Sequence, residues 1–309
     1  NRRLGVIEFR GVNASPILSP TDLNPEIGPP PNVKKVPHGT TVHGITIEDD
    51  YHWLRDPGYP EVTDEEILAH LRKENAYYER LFEPHRQLVD GLVKELRARI
   101  KEEDESVPVK DGSWFYQSRF AAGDDYRTHH RRHVDSTEWQ LILDERELAS
   151  GHDYFRLGGM DVSDDSVLAY STDVAGDERY LMRFVSLESD TSYDENIAET
   201  IGDPIWLPGT QTLLYLELSE EWRPYRVRAH TLGDDVANDP VLYEETDEGF
   251  FVDVDLSQDR RYAIITTGDH ETSETRVLAV DAVGDEPALI SPRRRGHEYH
   301  VDHAGSYFY

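Results

Sequence analysis

One short pattern returns along the second two-thirds of this chain: an apolar residue, a polar turn, then a strand bearing an aromatic. It appears as Val109-Lys-Asp-Gly-Ser-Trp-Phe-Tyr116, Val162-Ser-Asp-Asp-Ser-Val-Leu-Ala-Tyr170, Trp206-Leu-Pro-Gly-Thr-Gln-Thr-Leu-Leu-Tyr215, Val254-Asp-Leu-Ser-Gln-Asp-Arg-Arg-Tyr262 and Val301-Asp-His-Ala-Gly-Ser-Tyr-Phe-Tyr309. The leading residues stand at 109, 162, 206, 254 and 301, giving intervals of 53, 44, 48 and 47. Each strand is followed by another, ending near Leu143, Leu187, Leu232 and Val280. A period of ~45 residues with about four strands per unit predicts a β-propeller. The physical cause is that one small twisted sheet cannot cover both of its faces, so neighbouring sheets must stack around it. A sandwich gives no reason for the repeat.

The expected fold is therefore mostly β: a partial propeller of about four and a half blades over 107–309. Four units are complete, and the fifth stops inside Gly305-Ser-Tyr-Phe-Tyr309, which reads as a strand interior. A ring ending in mid-blade leaves an open sheet edge, so the expectation is a piece of a longer protein. In front of it we expect an extension over 1–29, then an arm and helical segment over 30–106. Seven prolines (Pro16, Pro20, Pro25, Pro29, Pro30, Pro31, Pro37) predict an extended arm. Thr63-Asp-Glu-Glu66 reads as a capping box with Thr63 at the N-cap. Ile67, Leu68, Leu71, Tyr78 and Leu81, then Leu88, Leu92, Leu96 and Ile100 beyond Pro84, keep helical spacing and predict two antiparallel helices within 64–103.

Charge narrows the function classes. The 309 residues hold 62 acidic against 32 basic side chains, a formal net charge of −30, which repels nucleic-acid phosphates. The acidity is spread over every region rather than gathered in a tail. It fits two readings that coexist: a hydrated anionic surface suited to high salt, and electrostatic attraction of cationic peptides. Without cysteine there is no disulfide frame, thiolate zinc site or Cys nucleophile. No run reaches the ~18 apolar residues of a membrane helix, and residues 1–28 lack a secretory pattern, so a cytoplasmic location is expected, with neither membrane nor nucleic acid as partner.

The run His38-Gly39 … Asp49-Asp-Tyr-His-Trp-Leu-Arg-Asp56, then Glu74-Asn75, resembles the N-terminal signature of the prolyl oligopeptidase family. Ser118-Arg119, Leu157-Gly158, Gly176-Asp-Glu-Arg-Tyr180, Arg223-Pro-Tyr-Arg-Val227, Tyr243-Glu-Glu245 and Glu298-Tyr-His-Val-Asp-His303 are similar to its oligopeptidase B branch. The likeness runs from about Pro30 to Tyr309. It implies a serine peptidase with a seven-bladed propeller ahead of an α/β-hydrolase domain, cutting short peptides after Arg or Lys while the propeller excludes folded proteins. The arm and helices would pack on the hydrolase domain. A Ser nucleophile of that class sits in Gly-x-Ser-x-Gly, whose small residues permit the strained elbow. The chain contains no such pentapeptide, so no catalytic residue is assigned. The chain alone is expected to be inactive, its partners being a C-terminal catalytic domain and short cationic peptides. The competing expectation is a stand-alone propeller that binds proteins or peptides without catalysis.

The remaining histidine and acidic clusters have structural explanations. His129, His130 and His133 lie on a strand, where neighbours face opposite ways, and two arginines between them repel a cation. His297, His300 and His303 meet the same objection, so neither metal nor cofactor is expected. The acidic pairs Asp124-Asp125, Asp164-Asp165, Asp234-Asp235 and Glu244-Glu245 read as turn formers and solvated groups, and Asp253-Val-Asp255 lacks the glycine of a calcium loop. Glu178 and Arg179, in a hairpin connection of the second unit, are the candidates for interdomain contact or peptide gating, with Gly176 supplying a positive backbone angle.

Overall fold

The computed structural model describes residues 19–309 and divides into two compact units, one up to Lys101 and one over Glu102–Tyr309. The expected extension over 1–29 falls outside the described residues as far as Leu18.

The first unit is not wholly extended where its prolines begin. Pro20 occupies the first turn of a short helix, α1 (Pro20–Leu23), in a capping box: Ser19 Oγ accepts from the Asp22 N–H, and the Asp22 carboxylate accepts from the Ser19 N–H. Strands β1 (Gly39–Val42) and β2 (Ile45–Glu48) form a hairpin that the sequence reading did not identify. Its two-residue turn, His43-Gly44, has both φ values positive, at 53° and 78°, as a tight antiparallel reversal requires.

Helix α2 (Glu65–Phe82) starts one residue later than expected. Its N-cap is Asp64, whose carboxylate accepts from the N–H groups of Glu66 and Ile67. Thr63 instead donates its N–H to the Asp56 carboxylate, which also receives those of Asp64 and Gly58. These three donors hold the Asp56 carboxyl below its ordinary range. Pro84 sits in a single 3₁₀ turn, Glu83–His85, from which α3 (Arg86–Arg97) continues. Both expected helices form, but α3 buries none of its residues.

In the second unit the repeat becomes a series of antiparallel meanders, the first of five strands and the next three of four. Blade 1 holds β3 (Asp104–Glu105) and β4 (Val109–Asp111), both paired with β5 (Trp114–Phe120), then β6 (Thr128–His133) and β7 (Gln140–Asp144), followed by helix α4 (Glu145–Ala149). Blade 2 is β8 (Arg156–Val162), β9 (Val167–Asp173), β10 (Tyr180–Ser186) and β11 (Thr191–Thr200). Blade 3 is β12 (Ile205–Trp206), β13 (Thr212–Leu218), β14 (Pro224–Thr231) and β15 (Val241–Glu244). Blade 4 is β16 (Phe251–Leu256), β17 (Tyr262–Gly268), β18 (Ser273–Ala279) and β19 (Ala288–Ser291), and the hairpin β20 (His303–Ala304) with β21 (Tyr307–Phe308) follows it.

The recurring sequence run is thus the first hairpin of each blade. The second marker corresponds to one repeated hydrogen bond: the N–H groups of Leu187, Leu232 and Val280 donate to the carbonyls of Ser166, Gln211 and Arg261, closing the third strand on the second. Its counterpart in blade 1 is Val134 on Ser113, so Leu143, which lies in the fourth strand, was matched to the wrong position.

The core lies between sheets. Along β9, Val167 and Ala169 join Met182, Phe184, Ile197, Trp206, Leu213 and Tyr215 in a cluster shared by blades 2 and 3. The alternate residues Leu168 and Tyr170 join Leu143 on the other side. The same alternation along β13 sends Leu214 and Leu216 toward Val252, Val254, Ala263 and Ile265 of blade 4. Each inner sheet is apolar on both faces because each face has a neighbour. Backbones approach closely here: a Cβ on Gly158 would lie 2.5 Å from Ser171 Oγ and 2.6 Å from the Tyr180 ring.

Candidate functional site

The connection between β9 and β10 carries the two residues singled out from sequence. The Asp173 carboxylate organises it, accepting from the N–H groups of Ala175, Gly176 and Glu178 at 2.8, 2.8 and 2.9 Å. Burial alone would push the Asp173 carboxyl up, but these N–H groups outweigh it and hold the carboxyl below its ordinary value. Gly176 takes the positive φ expected of it, 81°, and Glu178 is also left-handed at 60°. The Glu178 side chain is exposed, with Arg156 at 3.3 Å.

Arg179 turns inward instead. It pairs with Glu199, donates to the carbonyls of Ser219 and Glu220 at 2.9 and 3.0 Å, and lies 4.6 Å over the Trp222 ring. Arg223 repeats the arrangement one blade on, donating to the carbonyls of Glu245, Asp247 and Phe250. Arg179 is therefore engaged in tying blade 2 to blade 3, and Glu178 is the member of the pair presented to solvent.

A set of carboxylates near the first strands was missed by the sequence reading. Asp203, Asp253 and Asp255 are exposed, yet partial desolvation by the surrounding protein pushes the Asp203 carboxyl up, and Asp253 and Asp255 push it further. Partial desolvation does the same to Asp253, against a hydrogen bond from the Val254 N–H. Asp161 is likewise raised by burial, although it accepts from the N–H groups of Trp206 and Val162. The available signal was the alternation Val252-Asp-Val-Asp255, which places both acids on the face opposite the buried valines. That pattern had been read only as an incomplete calcium loop.

The hairpin tips of blades 1, 2 and 4 enclose a cavity of about 320 Å³ lined by Asp111, Trp114, Tyr116, Asp164 and Arg260 among others. Arg260, in the blade 4 tip, donates to Asp111 of blade 1 at 2.6 Å. Asp164 also accepts from the Gly209 N–H of blade 3 at 2.7 Å, so one of the acidic pairs joins blades rather than merely shaping a turn.

The histidines disperse. His129 pairs with Glu145 at 2.6 Å, His130 lies 3.0 Å from Thr128 Oγ1, and His133 packs edge-on against Trp114. His303 meets Asp259 at 2.7 Å, and His297 packs against Tyr299. Among the described residues no three His, Asp or Glu side chains converge as a metal set. The fully buried histidine is one the sequence did not flag: His230 lies 2.9 Å from Asp239 and 3.1 Å from Glu195 of blade 2, beside the Phe184 ring. Burial, then the neighbouring Asp239 carboxylate, pushes the Tyr215 phenol up while its hydroxyl donates to that carboxylate.

Comparison with known proteins agrees with this architecture. Residues 31–309 match the family described as prolyl oligopeptidase, N-terminal beta-propeller domain, and the chain belongs to that family. Among individual relatives, it is 34% identical over 295 residues to dipeptidyl aminopeptidase BI of Pseudoxanthomonas mexicana, covering 89% of this chain and 40% of that protein. It is 28% identical over 283 residues to protease 2 of Moraxella lacunata, covering 88% and 40%. Oligopeptidase B from Trypanosoma brucei superposes with a TM-score of 0.81 at 28% identity, over 90% of this chain and 41% of that one. The chain thus spans about 40% of the length of these relatives.

Proposed function

We propose that this chain is the front part of a serine oligopeptidase that hydrolyses short peptides after Arg or Lys, and that it holds no catalytic machinery itself. The supporting observation is the combination of family membership over 31–309 with a span of 40% of the relatives and no Gly-x-Ser-x-Gly anywhere in the sequence. Its contribution is indirect: the blades restrict access to short peptides, and the anionic surface draws cationic ones toward the enzyme. Glu178 is available for contact with a catalytic domain or an entering peptide, with Arg179 holding its turn in place. The bare face of α3 offers a seat for the same domain. A cytoplasmic setting belongs to this reading.

A second specificity is favoured by the 34% identical relative, whose name describes release of dipeptides from an amino terminus. The two separate with paired fluorogenic substrates, one an N-terminally blocked Arg-Arg amide and one an unblocked dipeptidyl amide. Applied to the longer protein, turnover of the blocked substrate supports cleavage after basic residues, and turnover of the unblocked one alone supports the dipeptidyl reading. The 309-residue chain is expected to cleave neither; serine-reagent-sensitive cleavage by it would overturn the proposal.

A further inference from the structure

The cavity at the hairpin tips has a composition that the peptidase reading does not use. Asp111 and Asp164 supply carboxylates, and Trp114 and Tyr116 supply aromatic surface. Both modes of guanidinium recognition already operate on these groups. Arg131 lies 4.1 Å over the Trp114 ring, and Arg260 donates to Asp111 at 2.6 Å. The second contact joins residues 149 positions apart and carries the blade 4 tip to the blade 1 tip.

We propose that this cavity is a binding site for a guanidinium group, occupied in the resting chain by its own Arg260, which an arginine side chain of a peptide displaces. The charge balance favours exchange. With Arg260 withdrawn, Asp111 loses its ion-pair partner while Asp164 stays in the same lining. The resting pair is half open to water, with side-chain exposures of 37% and 46%, and a pair so exposed closes a site by a factor of about five or less. The volume, about 320 Å³, lies at the small end of ligand cavities and suits one side chain rather than a folded surface. Arg260 sits at a φ of 57°, a backbone geometry that glycine and asparagine accept readily, so its side chain can be removed without straining the turn. That a peptide is the natural source of the guanidinium rests on the peptidase reading above; the site itself does not.

The test is calorimetric titration of the 309-residue chain, at low ionic strength, with Nα-acetyl-arginine amide and with its uncharged citrulline analogue. Arg260→Gly is expected to bind the arginine probe up to about fivefold more tightly than the parent chain, because the competing group is gone, and to ignore citrulline. Adding Asp111→Asn to Arg260→Gly is expected to abolish the gain. Equal affinity of Arg260→Gly and parent, equal binding of citrulline, or a gain that survives Asp111→Asn would each overturn the site. Arg260→Asn provides the same comparison should the glycine variant fail to fold. Substrate hydrolysis by the longer protein reads the peptidase reading separately, so failure of one does not pass for failure of the other.

Discussion

Strand β9 and helix α3 are both rich in apolar side chains, yet every residue of β9 is buried and none of α3 is. β9 sits in the middle of a stack. Val167 and Ala169 meet blade 3, and Leu168 and Tyr170 meet the blade 1 side. Leu88, Leu92, Val93, Leu96 and Ile100 line up in and just beyond α3 with equal regularity, and all are exposed. The difference teaches that periodicity records what an element is built to bury, while burial itself depends on which neighbours are present. Blades 2 and 3 are each other's neighbours; the apolar stripe of α3 is written for one that the described residues do not supply.

The sharpest way to break that contrast is to remove a side chain that two blades share. Phe184 is fully buried between blades 2 and 3, edge-on to Trp206 and beside His230. Phe184→Ala is expected to cost about 3–5 kcal/mol, the sum of lost transfer energy and an unfilled cavity, read from urea unfolding of the chain followed by circular dichroism. A loss below about 1 kcal/mol would mean that the blades do not depend on one another, and the reason given for the repeat would fail with it.

This interdependence explains what could be read in advance. The repeat was legible because the first hairpin of every blade carries an apolar–polar alternation around a polar turn with one left-handed residue, Gly112, Ser166, Gly209 or Arg260. The boundaries of α2 were nearly legible, missing only that Asp64 out-competes Thr63 for the cap once Asp56 takes the Thr63 N–H. Glu178 and Arg179 were correctly placed together in a turn, but their opposite destinations were hidden. What draws Arg179 inward are carbonyls forty residues away in another blade, and no local pattern encodes that distance. The β1–β2 hairpin carries a local trace only in His43-Gly44, and the prolines just before it favour an extended arm. The Asp203, Asp253 and Asp255 set also depended on the chain returning to one place, with only the Val-Asp alternation as a local trace.

A smaller effect sharpens the contrast within the second unit, between acids that the fold welcomes and acids that it tolerates. Asp173 is held low by N–H donors, so its stabilisation is present at neutral pH and lost as acid takes the pH through its folded value. Asp203 is the reverse. Its folded value is raised by partial desolvation and by Asp253 and Asp255, so its contribution is full below the unfolded value of about 3.9 and is lost as pH rises through the folded one. Asp203→Asn is therefore expected to raise the thermal midpoint at pH 7 to 8. The gain should shrink on acidification and vanish near the unfolded value, which a series of melts across that range reads directly. A gain independent of pH would assign the effect to something other than charge.

The smallest expected change is on α3, and its smallness is what the contrast demands. Leu92 and Leu96 are 50% and 60% exposed, so Leu92→Gln and Leu96→Gln remove little that this chain buries. Each should alter its unfolding free energy by no more than about 0.5 kcal/mol, and glutamine keeps nearly the helix propensity of leucine. If a catalytic domain covers this face in the longer protein of the proposed function, the same substitutions should lower the thermal midpoint or loosen that domain's attachment, because each places an amide against an apolar seat. Parallel melts of the 309-residue chain and the longer protein measure both halves. A large loss in the chain alone would show that α3 is not bare, and no loss in either would leave its apolar stripe without a partner and remove α3 from the proposed interdomain contact.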